Sequence, residues 1–197
     1  MNTSTTQVES GIQLFTRVNR KNDLNGINSH YFPNGGPLPN ESIEVMGDLK
    51  LDKTDLLLDF IVKCILPSDL NSQWKSSGAV LVICEHQLNI FKIIKVIEAH
   101  LKRNDVLDPK KEILESALKN LTIFNCYSPE DLDLAIMNLQ RLILVKDNIN
   151  LVVIDNISAY YWIAKQKSNI SYYHHAQQIF QKIISALASL NVENRTP

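Results

Sequence analysis

Ala79-Val80-Leu81-Val82-Ile83-Cys84 is a run of six apolar residues, bounded by Gly78 before it and Glu85 after it. A run that short and unbroken suits a strand buried on both faces, as in a parallel sheet. Working outward, Leu121 to Cys126 and Leu151-Val152-Val153-Ile154-Asp155 read as further strands. Helical patterns lie between them. Leu88, Phe91, Ile94, Ile97 and Leu101 recur at helical spacing. Pro109 opens a helix through Leu118. Ser128-Pro129-Glu130-Asp131 is a helix start, with a capping serine, a first-turn proline and acids at the positive dipole end. That helix is expected to run to about Val145, and a last one from Ser171 to Leu190. Toward the amino terminus, Ser42 to Met46 is a short strand candidate, and Lys53 to Leu66 a helix stopped by Pro67. Glu9 to Arg20 carries a short amphipathic pattern, Lys21 to Asn40 a loop, and Asp69 to Gly78 a polar loop. Strand–helix alternation with apolar strands predicts an α/β fold: a mainly parallel sheet flanked by helices on both faces. Residues 1–8 are expected to be disordered and 9–197 to form a single domain.

The composition narrows the function classes. The 197 residues carry 20 basic and 21 acidic side chains. There is no basic excess of the kind that a stand-alone nucleic-acid binder shows. A net charge of -1 gives little colloidal repulsion, which fits a subunit that lives in a complex. All six glycines lie at or before Gly78, so glycine-rich catalytic loops are excluded from the second half. The three cysteines, Cys64, Cys84 and Cys126, sit far apart in apolar runs and form no CxxC pair. They read as buried free thiols. No secretory leader and no membrane-spanning run is expected. The His174-His175 doublet starts a helix, and adjacent helical residues face different ways, so joint chelation is not expected.

Ligands of parallel sheets bind beyond the carboxyl ends of the strands. After Met46 comes Gly47-Asp48-Leu49-Lys50-Leu51-Asp52-Lys53-Thr54, opening a helix. The phosphate-cradling pattern is G-x-x-x-x-G-K-[ST] between strand and helix. Gly47, Lys53 and Thr54 are in register; the second glycine is Asp52. Its side chain and charge stand where backbone N–H groups must wrap a polyanion. A like charge at about 4 Å costs roughly 4 kcal/mol at an effective dielectric near 20. Nucleotide binding is therefore expected to be lost or very weak, with the loop kept as scaffold. Asp155 ends its apolar strand where an acid can orient a magnesium water. Glu85, after Cys84, stands where a water-activating carboxylate could sit.

These residues resemble the eukaryotic paralogues of RecA-like DNA recombinases, and among them the X-ray repair cross-complementing protein two branch. The resemblance is carried by Glu9 to Leu14, Ser42 to Thr54 and Cys64 to Pro67. Its most specific part is Leu151-Val152-Val153-Ile154-Asp155-Asn156-Ile157-Ser158-Ala159-Tyr160-Tyr161-Trp162-Ile163. It covers most of residues 9 to 190. It implies a RecA-like P-loop core and a nuclear role in homologous recombination and double-strand break repair. It also implies assembly with other recombinase paralogues, most directly the D-type one, and contact with DNA through the complex. Nucleotide contacts carry over to Gly47, Lys53, Thr54 and Asp155, with Thr54 and Asp155 at magnesium if ATP binds. Glu85 is one residue short of the family spacing for the catalytic carboxylate. The chain also stops soon after Leu190, where the family core continues, so a C-terminally short domain is expected.

Three functions follow: an adaptor subunit with a degenerate ATP site, a working DNA-dependent ATPase of the same complex, or an unrelated α/β interaction domain. Tyr160, Tyr161 and Trp162 read either as core packing or as a partner-facing aromatic patch.

Overall fold

The computed structural model describes residues 24–37, 41–47, 53–84, 88–106, 111–146 and 148–168, together with 174, 177, 178, 181 and 182. In chain order the elements are helix α1 (Lys53–Ile65), strand β1 (Gly78–Ile83), helix α2 (Ile90–Arg103), helix α3 (Lys111–Lys119), strand β2 (Leu121–Asn125), helix α4 (Pro129–Val145), strand β3 (Ile149–Asp155) and helix α5 (Tyr161–Ser168). The three strands form one parallel sheet in the order β2-β1-β3. All six residues of β1 are buried, as a central strand with both faces covered requires. Ala79 pairs with Leu121 on one side and with Leu151 on the other.

Side chains alternate across a strand, and β1 divides its residues accordingly. Ala79, Leu81 and Ile83 enter a large apolar cluster with Leu58, Ile61, Ile65, Ile93, Ile97 and Ala117 from α1, α2 and α3. Val80, Val82 and Cys84 enter a smaller one with Leu132, Ala135, Ile136 and Leu139 of α4. The helices thus lie on both faces, as the alternation predicts. Ser128 caps α4 through a 3.1 Å bond from the Asp131 backbone N–H, with Pro129 opening the helix.

The structure departs from the sequence reading at four places. Residues 41–47 form no strand. Ile43 and Met46 are exposed, and both edges of β1 are already taken by β2 and β3. The run does alternate, Ile43 and Val45 against Ser42 and Glu44, but it is exposed almost throughout and joins no described strand. In α2 the buried stripe is Ile93, Ile97, His100 and Leu101, while Phe91 is 70% exposed. Trp74, in the polar loop before β1, is 2% exposed and belongs to the larger cluster. Helix α5 follows the β3 turn where no helix is predicted. The expected features at 1–8, at 9–20 and at Pro109 lie outside the described residues, as does most of 171–190.

The segment before α1 is a compact turn. Gly26 takes φ +74, which glycine adopts at no steric cost, and its N–H donates to the Gly35 carbonyl at 2.9 Å. Asn28 Nδ2 reaches Asp59 of α1 at 3.4 Å. Asp59 also receives Lys63 at 2.9 Å and the buried His100 of α2 at 3.0 Å. Burial works against the Asp59 charge, but the bonds from His100 and Lys63 outweigh it and hold the carboxyl at about 2.

Candidate functional site

The carboxyl end of β3 meets the amino end of α1. Thr54 Oγ1 donates to Asp155 Oδ2 at 2.9 Å, joining residues 101 positions apart. Lys53, the first residue of α1, donates from Nζ to the Gly47 carbonyl at 3.3 Å. Four residues of the sequence-predicted site, Gly47, Lys53, Thr54 and Asp155, are therefore brought into one place. Asp52 and Glu85 lie outside the described residues. Cys84, just before Glu85, donates its backbone N–H to the Asp155 carbonyl at 2.7 Å, so the end of β1 abuts the end of β3.

Local causes hold this arrangement. The first-turn N–H groups of α1 have no intrahelical acceptor and carry the positive end of the helix dipole, an environment that favours anions. Burial of Leu58, Ile61, Val62, Cys64 and Ile65 fixes the rest of the helix against the sheet. Asp55, on the first turn, pairs with Lys92 of α2 at 2.9 Å. That ties the openings of two helices together beside the site. After Asp155, Asn156 Oδ1 accepts both the backbone N–H and the hydroxyl of Ser158 at 3.0 Å, an Asx turn that carries the chain away from the strand. The Asp155–Asn156 peptide is cis.

Behind the site the smaller apolar cluster ends in polar contacts. Tyr160 donates its hydroxyl to the Cys126 carbonyl at 2.7 Å. Burial, then the neighbouring Cys84, Cys126 and Asp131, push the Tyr160 phenol up to about 12. All three cysteines are buried and carry no disulfide. Burial raises the Cys64 thiol to about 12 and also raises Cys126, so these two are packing thiols and not nucleophiles.

The aromatic triplet splits between its two readings. Tyr160 is core, whereas Trp162 is 67% exposed with Lys165 Nζ 5.1 Å from its ring centroid. Sequence reasoning missed Lys92, whose partner Asp55 is visible only once α1 and α2 are packed. Asn156, by contrast, is readable as a turn residue, because asparagine takes over the turns where the second half has no glycine. His174 is exposed and His175 lies outside the described residues; among the described residues no cluster of three His, Cys, Asp or Glu could hold a metal ion.

Gly47, Lys53, Thr54 and Asp155, which meet here, are the residues to which the resemblance carries nucleotide contacts over. The chain is similar to the DNA repair protein XRCC2 of Mus musculus. The two are 23% identical over 163 residues, covering 80% of this chain. This supports the X-ray repair cross-complementing protein two branch of the RecA-like paralogues, and the parallel three-stranded sheet is consistent with a RecA-like core. The chain spans 54% of the length of that mouse protein. No family model matches the chain.

Proposed function

We propose that this chain is a DNA-repair subunit of homologous recombination, serving double-strand break repair as an adaptor in a complex of recombinase paralogues. The similarity to a mouse DNA repair protein over 80% of the chain carries this reading. A D-type paralogue is its most direct partner, DNA is met through the complex, and the complex works in the nucleus. No helix among the described residues is long and apolar enough to cross a membrane. The ATP site is degenerate in this reading, because Asp52 replaces the glycine on which phosphate wrapping depends.

The bond between Thr54 and Asp155 favours a second reading, a working DNA-dependent ATPase. Hydroxyl and carboxylate oxygens are the donors that magnesium takes, so these residues fit the ion. Thr54 would hold it, Asp155 would orient its water, and Lys53 would meet the phosphates. Bound there, magnesium supplies charge neutralisation to a transferring phosphoryl group. Glu85 is the candidate base in that case.

Co-purification from cells with recombinase paralogues, followed by repair assays of Lys53→Ala, tests both. The adaptor reading expects the variant to enter the complex and restore break repair as the parent does. Repair that collapses while the complex still forms moves the assignment to the ATPase. Failure to capture any recombinase paralogue overturns both.

A further inference from the structure

At the end of the sheet opposite Thr54 and Asp155, a cleft of about 180 Å³ opens between the starts of the three strands. Gly78 begins β1, Asn120 precedes β2 and Asn148 precedes β3, while Lys119 ends α3 and Lys146 caps α4. Thr122 and the apolar Ile149 complete the lining. The backbone carbonyls here are already used: Asn148 O accepts from Gly78 N–H at 2.7 Å and Asn120 O from Ala79 N–H at 2.9 Å. The side chains form two separate hydrogen-bonded pairs instead. Lys146 Nζ donates to Thr122 Oγ1 at 3.2 Å, and Asn148 Nδ2 to Asn120 Oδ1 at 3.5 Å. A Cβ on residue 78 would stand 3.1 Å from both Asn148 oxygens, so glycine keeps the floor of the cleft open.

Both lysines end helices, where their charge offsets the negative carbonyl ends. That explains two cations but not the hydroxyl and two amides gathered with them. Neither lysine pairs with a described carboxylate, and among the described residues no acid lines the cleft. Asp147, next in sequence to Lys146, lies outside the described residues. Two lysine ammoniums, with the Thr122 hydroxyl and the amides of Asn120 and Asn148, match an anion that presents several oxygens at once. We propose that this cleft binds a phosphate group, in a site separate from the loop at Gly47 to Thr54.

The test is an amide NMR titration of the 197-residue chain with sodium phosphate at constant ionic strength. Saturable shifts are expected at Gly78, Asn120 and Asn148. The double change Lys119→Ala with Lys146→Ala is expected to weaken binding about tenfold, the scale of two exposed charge contacts. Thr122→Val, which keeps the side-chain shape, is expected to weaken it by a smaller factor and guards against misfolding of the double variant. A short single-stranded oligonucleotide is the second arm: if it binds the same amides more tightly, the phosphate is that of a nucleic-acid backbone, and if free phosphate binds more tightly, the ligand is small. Shifts that never saturate, that chloride reproduces, or that Lys53→Ala abolishes overturn the proposal.

Discussion

The two faces of the sheet are built differently. The face covered by α1, α2 and α3 holds the larger apolar cluster and closes with an ionic set, Asp59 with Lys63 and His100. The face covered by α4 holds a smaller cluster closed by neutral groups, Tyr160 and the thiols of Cys84 and Cys126. The first face anchors the helix that presents Lys53 and Thr54. The second backs the strand that presents Asp155. The candidate site therefore depends on both, but stability should reside mainly in the first.

Truncating one fully buried leucine on each face tests this unevenness most strongly. Leu58→Ala, in the larger cluster, is expected to cost about 4 kcal/mol through lost burial and an unfilled cavity. Leu139→Ala, in the smaller cluster, is expected to cost about 3 kcal/mol. Urea unfolding of the two variants measures the difference, and equal costs would erase the contrast between faces.

The ionic set gives the next largest effect, about 2 kcal/mol for Asp59→Asn, the scale of hydrogen bonds to a charged group. It also has a pH signature. The Asp59 carboxyl is lowered from 3.8 to about 2, so the folded form binds its proton less readily than the unfolded chain. Its stabilisation is fully present above about pH 4 and is lost as pH falls toward 2. Unfolding midpoints across this range should drop more steeply for the parent than for Asp59→Asn. On the other face, Tyr160→Phe is expected to cost only about 1 kcal/mol, with no such acid dependence, because the bond it removes is neutral.

The smallest stability effect is expected at the exposed aromatic. Trp162→Ala should leave stability within about 0.5 kcal/mol, as exposed substitutions do. If Trp162 faces a partner, the same variant lowers recovery of the recombinase-paralogue complex in a pull-down, while Tyr160→Phe does not.

The strands were legible because burial on both faces leaves a plain mark, an unbroken apolar run. The start of α4 was legible because Ser128 and Pro129 act locally. The triad of Lys53, Thr54 and Asp155 could be placed because each stands at a junction of strand or helix. What failed depends on distant partners. The α2 sequence offers two overlapping apolar stripes, and the helix takes the one that brings His100 to Asp59 and Lys92 to Asp55. Neither aspartate is near α2 in sequence. Trp74 is buried within the larger apolar cluster, which its polar neighbours in sequence hid. Helix α5 has its apolar residues bunched in Tyr161-Trp162-Ile163-Ala164, ahead of Lys165-Gln166-Lys167, and so shows no helical period.

The 101-residue span between Thr54 and Asp155 also orders events during synthesis. Chains emerge from the ribosome amino end first, so β1 is made before either strand that will flank it. Until β3 emerges, the central strand has an unpaired edge open to other chains. A growing chain that halts before Asp155 thus carries α1 and its lysine with no carboxylate opposite. Completion of the site reports that translation has passed β3, and nascent chains short of that point are the ones most in need of a chaperone.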